Sequence, residues 1–242
     1  MKKTVSIDVE TVLDEEAAGH CGFVPGDEFA PWPVHRIVCA SAFSVTRSAH
    51  DEQYYALESF SRGAMSERGI VMALAAAVDD ANVVVTFNGY RFDLPVLLAR
   101  AMVHEVHVPR LIDLQNRSRV GRHVDLFDQL KRDAAPVSLA HLCAPFAIPV
   151  KQDASASVAE LAAREDWLAL EEYCETDVVG CWLASLFWTK VQEPGFARAE
   201  WRSFAAWAAE NATEHPSLAA FTTVPRPPRQ SYPARGLDDF DF

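Results

Sequence analysis

The chain has 242 residues, with 22 Lys plus Arg against 34 Asp plus Glu, a formal charge of −12 that by itself argues against general attraction to a polyanion. Half of the residues are hydrophobic and 23% are charged, the proportions of a soluble globular chain, which excludes disorder throughout. The longest apolar run, Ile70 to Val78, falls far short of the roughly 20 residues that cross a bilayer, so no membrane span is expected. Asp8 and Glu10 interrupt any signal-peptide apolar region, and Cys21, Cys39, Cys143, Cys174 and Cys181 are scattered without a CxxC pair. The expectation is a cytoplasmic chain with neither structural zinc nor a disulfide framework.

Lys3 to Val9 alternates Val5, Ile7 and Val9 with Thr4, Ser6 and Asp8, the period of two of a strand. An irregular stretch rich in Gly, Pro and acidic residues follows from Asp14 to Pro33. Arg36 to Thr46 and Glu52 to Leu57 read as two further strands joined by a hairpin. Ser66 to Ala81 has helical spacing with Ser66 as its N-cap, and it leads into Asn82 to Phe87, whose VVV core is that of a strand buried on both faces. A helix over about Phe92 to Val106 carries Pro95 in its first turn, where the missing N–H costs little. The order β-β-β-α-β-α predicts an α/β fold, a mixed sheet with helices packed on it. Leu111 to Leu114 and His123 to Leu126 are left open between short strand and loop. Ser138 to Phe146, Val158 to Arg164, Leu168 to Lys190 and Ala199 to Ala212 read as helices. From Thr222 onward the proline-rich sequence predicts a disordered tail.

Three motifs carry acidic side chains to what the pattern predicts are element ends. Asp8-Val9-Glu10 puts two carboxylates about 7 Å apart on one face of a strand. Asn88-Gly89-Tyr90-Arg91-Phe92-Asp93 follows the buried strand directly and sets Asp93 where a loop turns into a helix. Tyr173-Cys174-Glu175-Thr176-Asp177 stacks a phenol and a carboxylate at i, i+4 on the long helix. Four such carboxylates suit two divalent ions roughly 3.5 to 4 Å apart, clamping the attacking and leaving oxygens of a phosphodiester. An all-oxygen donor set favours Mg²⁺ or Mn²⁺.

Taken together, Asp8-x-Glu10, Asn88-x-x-x-Phe92-Asp93 and Tyr173-x-x-x-Asp177 resemble the three motifs of the DEDDy 3′-5′ exonucleases. FNGYRFDLPVL and HVDLFDQL, followed by the long helix, resemble the stand-alone predicted 3′-5′ exonucleases related to the proofreading domain of family-B DNA polymerases. The resemblance spans about residues 3 to 190. It implies a ribonuclease H-like mixed five-stranded sheet flanked by helices; from the sequence pattern the exonuclease domain is expected over residues 1–195, a helical extension packed on it over 196–221 and the tail, outside the resemblance, over 222–242. It also implies metal-dependent release of 5′-nucleotides from a 3′ end, mainly of single strands. It leans to DNA, while the residues leave DNA against RNA open. By the motif match Asp8, Glu10, Asp93 and Asp177 are the metal ligands and Tyr173 orients the attacking water. A phenol, with an ordinary pKa near 10, suits a hydrogen-bond partner better than a base. The competing expectation is a catalytically idle nucleic-acid-binding or scaffold module of the same fold.

His123-x-x-x-x-Asp128 matches the histidine variant of the third motif, but it follows Asp93 too closely and leaves Tyr173 and Asp177 unexplained. For substrate contact the candidates are Asn88, Tyr90, Arg91 and Phe92, beside Asp93, and Arg117, Arg119 and His123 in a basic stretch without acids. Leu237-Asp-Asp-Phe-Asp-Phe242 alternates acidic and aromatic residues, a composition that suits docking on a protein partner's basic, apolar groove.

Overall fold

The computed structural model describes residues 1–26, 29–116, 122–131, 134–150, 157–191, 193 and 195–226. The first strand, β1 (Lys2–Leu13), alternates two buried faces: Val5, Ile7 and Val9 on one, Ser6, Asp8 and Glu10 on the other. It runs on past Val9, because the strand beside it continues to pair with it beyond a bulge at Glu10/Thr11. The stretch read as irregular contains a helix, α1 (Glu15–Cys21). Asp14 caps its first turn by accepting from the Ala17 N–H, and Gly22 ends it at φ 71°.

A hairpin follows, β2 (His35–Arg47) and β3 (Gln53–Ser61), with Asp51 at φ 67° in its turn. Helix α2 (Glu67–Asp79) is capped by Ser66, whose side chain accepts from the Gly69 N–H. It leads to β4 (Val83–Thr86) and then α3 (Asp93–Val103). Pro109 opens a helix, α4 (Pro109–Gln115), where strand or loop was expected. Its Leu111 and Leu114 share one buried face at i, i+3, a pattern too short to announce a helix in the sequence. His123 to Asp125 does form a strand, β5 (His123–Asp125), and runs straight into α5 (Leu126–Lys131). Among the described residues α6 (Leu139–Cys143), α7 (Val158–Ala163), α8 (Trp167–Thr189) and α9 (Phe196–Asn211) follow, with 3-10 turns at Ala144–Phe146 and Pro216–Phe221.

The sheet has the order β3-β2-β1-β4-β5. β1 pairs antiparallel with β2 and parallel with β4, and β4 pairs parallel with β5, so the sheet is mixed and β1 lies at its centre. Each face is covered by helices. Val5, Ile7 and Val9 pack with Ile70, Leu74 and Leu97 of α2 and α3 on one side. On the other, Phe43, Val85 and Leu126 pack with Val178 and Trp182 of α8 and with Trp201 and Phe204 of α9. Burial of these large side chains supplies the main driving force, at roughly 25 cal/mol per Å² of apolar area. A buried ion network ties the layers together: Arg100 donates to both oxygens of Glu67 (2.7 Å each) and to Asp14 (2.9 Å), while Glu67 accepts from the Ile37 N–H. Among the described residues, no helix is long and apolar enough to cross a membrane.

Candidate active site

The central strand supplies the first two carboxylates. Asp8 is half-buried and Glu10 is buried, both on the face toward α8, and Glu10 sits at the bulge that re-aims the strand. The α8 face meets them with a thiol: Cys174 Sγ lies 3.5 Å from Asp8 Oδ2 and 3.5 Å from the Asp8 carbonyl oxygen. One carboxylate oxygen of Asp8, one of Glu10 and Cys174 Sγ all lie within 4.8 Å of one another. Sequence reasoning omitted Cys174, although it lies inside the third motif; which neighbour of Tyr173 faces the strand is decided by helix packing. The Cys174 thiol is pushed well above its ordinary pKa by burial first, then by its hydrogen bond with Cys39 and the charges of Asp8 and Glu10.

The third carboxylate arrives from the loop after β4. That loop turns tightly: Asn88 adopts φ 68°, and a Cβ at Gly89 would run into the Thr86 side chain. Its backbone is held from below by Asp125, fully buried at the end of β5. Asp125 accepts from the N–H groups of Asn88 (2.8 Å) and Tyr90 (2.9 Å), and also from those of Phe127 and Asp128. Loop and helix together deliver Asp93, 4% exposed, whose Oδ1 accepts from the Val9 N–H at 3.3 Å. Val9 stands between Asp8 and Glu10, so three acidic residues meet along one stretch of β1. Burial pushes the Asp93 carboxyl up to about 7, helped by the negative charges of Asp125 and Glu10 and opposed by its backbone hydrogen bonds.

The remaining motif lies on α8, which crosses β1. Tyr173 and Asp177 flank Cys174 on successive turns, and both are half-buried. Asp177 lines a cavity of about 340 Å³ with Phe87, Asn88 and Phe127, which places it beside the loop that carries Asp93. Its charge, second to burial, pushes the neighbouring Cys143 thiol up to about 12. Glu175 points elsewhere. It is buried and accepts from Ser59 Oγ (2.9 Å) and Ser217 Oγ (2.6 Å), and it pairs with His215 Nδ1 (2.8 Å), which fastens α8 to β3 and to the chain after α9.

The residues expected to touch substrate divide. Arg91 is exposed, with its guanidinium 5.4 Å from the Phe127 ring centroid and 3.7 Å from Asp128. Tyr90 is half-buried, with its ring against His123 at 4.2 Å. Phe92 packs edge-on to His35 at 5.1 Å and against the exposed Phe29, as part of the apolar layer under α3. His123 is buried, and both ring nitrogens are engaged inside the protein, Nε2 with Thr86 Oγ1 (2.8 Å) and Nδ1 with the Leu114 carbonyl (3.2 Å). These bonds tie β5 to β4 and to α4. Arg117 and Arg119 lie outside the described residues.

Among solved structures, the chain is similar to the family B DNA polymerase of the hyperthermophilic archaeon Pyrobaculum calidifontis, with a TM-score of 0.54 and 16% identity over 92% of this chain and 27% of that one. It is more distantly similar to E. coli Exonuclease I in complex with a dT13 oligonucleotide (TM-score 0.36, 13% identity, 91% of this chain and 46% of that one) and to an ExoI/SSB-Ct complex (TM-score 0.39, 12% identity, 90% and 46%). The chain thus spans about a quarter of the length of the polymerase and under half of that of the exonuclease. The likeness to the polymerase is one of fold, a ribonuclease H-like mixed sheet with flanking helices. No curated protein matches the chain. A family described as "Predicted 3'-5' exonuclease related to the exonuclease domain of PolB" matches residues 27–216, a stretch that takes in Asp93, Tyr173 and Asp177 and begins downstream of Asp8 and Glu10. With most of its length so matched, the chain belongs to this family of predicted 3′-5′ exonucleases related to the exonuclease domain of PolB.

Proposed function

We propose that the protein is a divalent-cation-dependent 3′-5′ exonuclease that hydrolyses phosphodiester bonds at the 3′ end of single-stranded nucleic acid, with DNA the favoured substrate, and releases 5′-nucleotides. The observation that carries this reading is the hydrogen bond from the Val9 N–H to Asp93, which brings this carboxylate to the residue between Asp8 and Glu10, themselves within 4.8 Å of each other. Burial first, then the negative charges of Asp125 and Glu10, pushes the Asp93 carboxyl up, so a cation beside it would favour its charged form. Such a donor set suits hard cations, Mg²⁺ or Mn²⁺, which neutralise it. Asp8, Glu10, Asp93 and Asp177 would hold the ions, and two ions so held supply charge stabilisation to the attacking and leaving oxygens of a phosphodiester.

The chain's own residues do the rest. Asp125 and Gly89 fix the loop so that Asp93 meets β1 in one position. Tyr173, one turn before Asp177, offers its hydroxyl as a hydrogen-bond partner that orients the attacking water. Beside the loop, a cleft of about 730 Å³ is lined by Trp32, Pro33, Tyr90, Arg91, Leu98 and Gln115. Its aromatic and apolar walls offer stacking surface to unpaired bases and Arg91 a positive charge to phosphate, which favours a single strand over a duplex.

The test is nucleotide release from a 5′-labelled single strand. Asp8→Ala and Asp177→Ala are expected to lower the rate by at least about a hundredfold while the circular dichroism spectrum is unchanged, and Tyr173→Phe to lose less because the carboxylates remain. Chelation should stop release by the wild-type chain and added Mn²⁺ restore it. Strand binding with no metal-dependent release would instead identify an idle module.

A further inference from the structure

At the C-terminal end of α8, an apolar groove of about 330 Å³ runs between this helix, the start of α9 and α6. Its walls include Leu142, Phe146, Phe187, Trp188, Val191 and Arg198. Phe146 and Phe187 stack at 4.4 Å, and Trp188 and Val191 stay 38% and 72% exposed, a sizeable apolar surface facing solvent. The charge on its rim is mainly positive. The Arg198 guanidinium stands 5.5 Å from the Phe187 ring, and Lys190 lies 4.8 Å from that of Phe196 while pairing with Glu193 at 2.8 Å. Burial and the nearby positive charge of Arg202 lower the Arg198 pKa. Among the described residues no carboxylate pairs with Arg198 or Arg202, in a chain whose acids outnumber its bases 34 to 22. An anionic, aromatic occupant would satisfy both the groove and its rim.

The chain itself carries one at the right place. Arg198 Nη1 donates to the Pro225 carbonyl, so the described chain reaches Arg226 at the mouth of this groove. A spacer follows, 227–236, with Pro227, Pro228 and Pro233, and then Leu237-Asp238-Asp239-Phe240-Asp241-Phe242. Ten residues in extended proline-rich form span about 30 Å at most, more than enough to reach any part of the groove. We propose that Leu237–Phe242 docks in cis in the groove, with Leu237, Phe240 and Phe242 against the apolar walls and the aspartates toward Arg198 and Arg202. Tethering raises the local concentration of the segment to the millimolar range, so even weak contacts suffice.

Amide hydrogen exchange on the full chain tests this without reference to catalysis. Amides of residues 238–242 should exchange at least tenfold more slowly than in an unstructured peptide of the same sequence. That protection, together with part of the protection over 184–198, should be lost in the Phe240→Ser, Phe242→Ser double variant and in Arg198→Glu. Unprotected exchange at 238–242 in the wild-type chain overturns the proposal. So does protection that grows with protein concentration, which would place the segment on a second copy.

Discussion

Asp93 shows how a single residue reports on the whole site. Its carboxyl is pushed up to about 7, mainly by burial, whereas in the unfolded chain it titrates near 3.8. The folded state therefore holds a proton that the unfolded state releases, so this group's stabilising contribution is complete below about pH 3.8 and is lost as pH rises through about 7. Divalent ions held as proposed would replace that proton, so Mn²⁺ should raise the thermal midpoint more at pH 8 than at pH 5.5. In chelator, Asp93→Asn should remove part of the decline in midpoint between pH 5 and pH 7.5, and the variant should be inactive. A Mn²⁺ shift of equal size at both pH values in the wild-type chain would count against the carboxylate site as a metal centre.

At the scale of elements, the site depends on how β4, β5 and α3 are locked together. Asp125 is the lock: four backbone N–H groups converge on its carboxylate, two of them from the loop that presents Asp93. Asp125→Ala leaves those donors unpaired at a buried position, a cost of about 2 to 4 kcal/mol. The expected outcome is a lower denaturant midpoint with faster amide exchange at Asn88 and Tyr90, and slower nucleotide release. The same elements show what was legible. The buried VVV of β4 and the Ser66 cap of α2 were plain in the sequence, because local pattern and tertiary role agree there. Helices α1 and α4 were not: at seven residues each they bury only one or two side chains, too few to establish a period. β5, three residues long, is a strand because β4 is there to pair with it.

For the whole molecule, the charge of −12 matters most. Four of the acids, Asp8, Glu10, Asp93 and Asp177, are the proposed metal ligands, and on that proposal attraction to a strand would be local and dependent on cations rather than on a basic surface. Oligonucleotide binding measured by anisotropy should weaken at least tenfold on chelation, since the uncompensated carboxylates then face the phosphates. Binding that is indifferent to chelation would place the strand away from the carboxylates.

The sequence by itself determined the centre of the fold and the motif residues, because alternation in β1, the continuous apolar run in β4 and the i, i+4 pair on α8 are local patterns tied to backbone geometry. Only the tertiary structure decided the partners. It turned His123 inward onto Thr86 and Leu114, gave Asp125 the task of holding the loop, set Cys174 against Asp8, and turned Glu175 away to fasten α8 to Ser59, His215 and Ser217. Those assignments depend on the order β3-β2-β1-β4-β5 and on α8 crossing its central strand, contacts between residues far apart in the chain that no local period encodes.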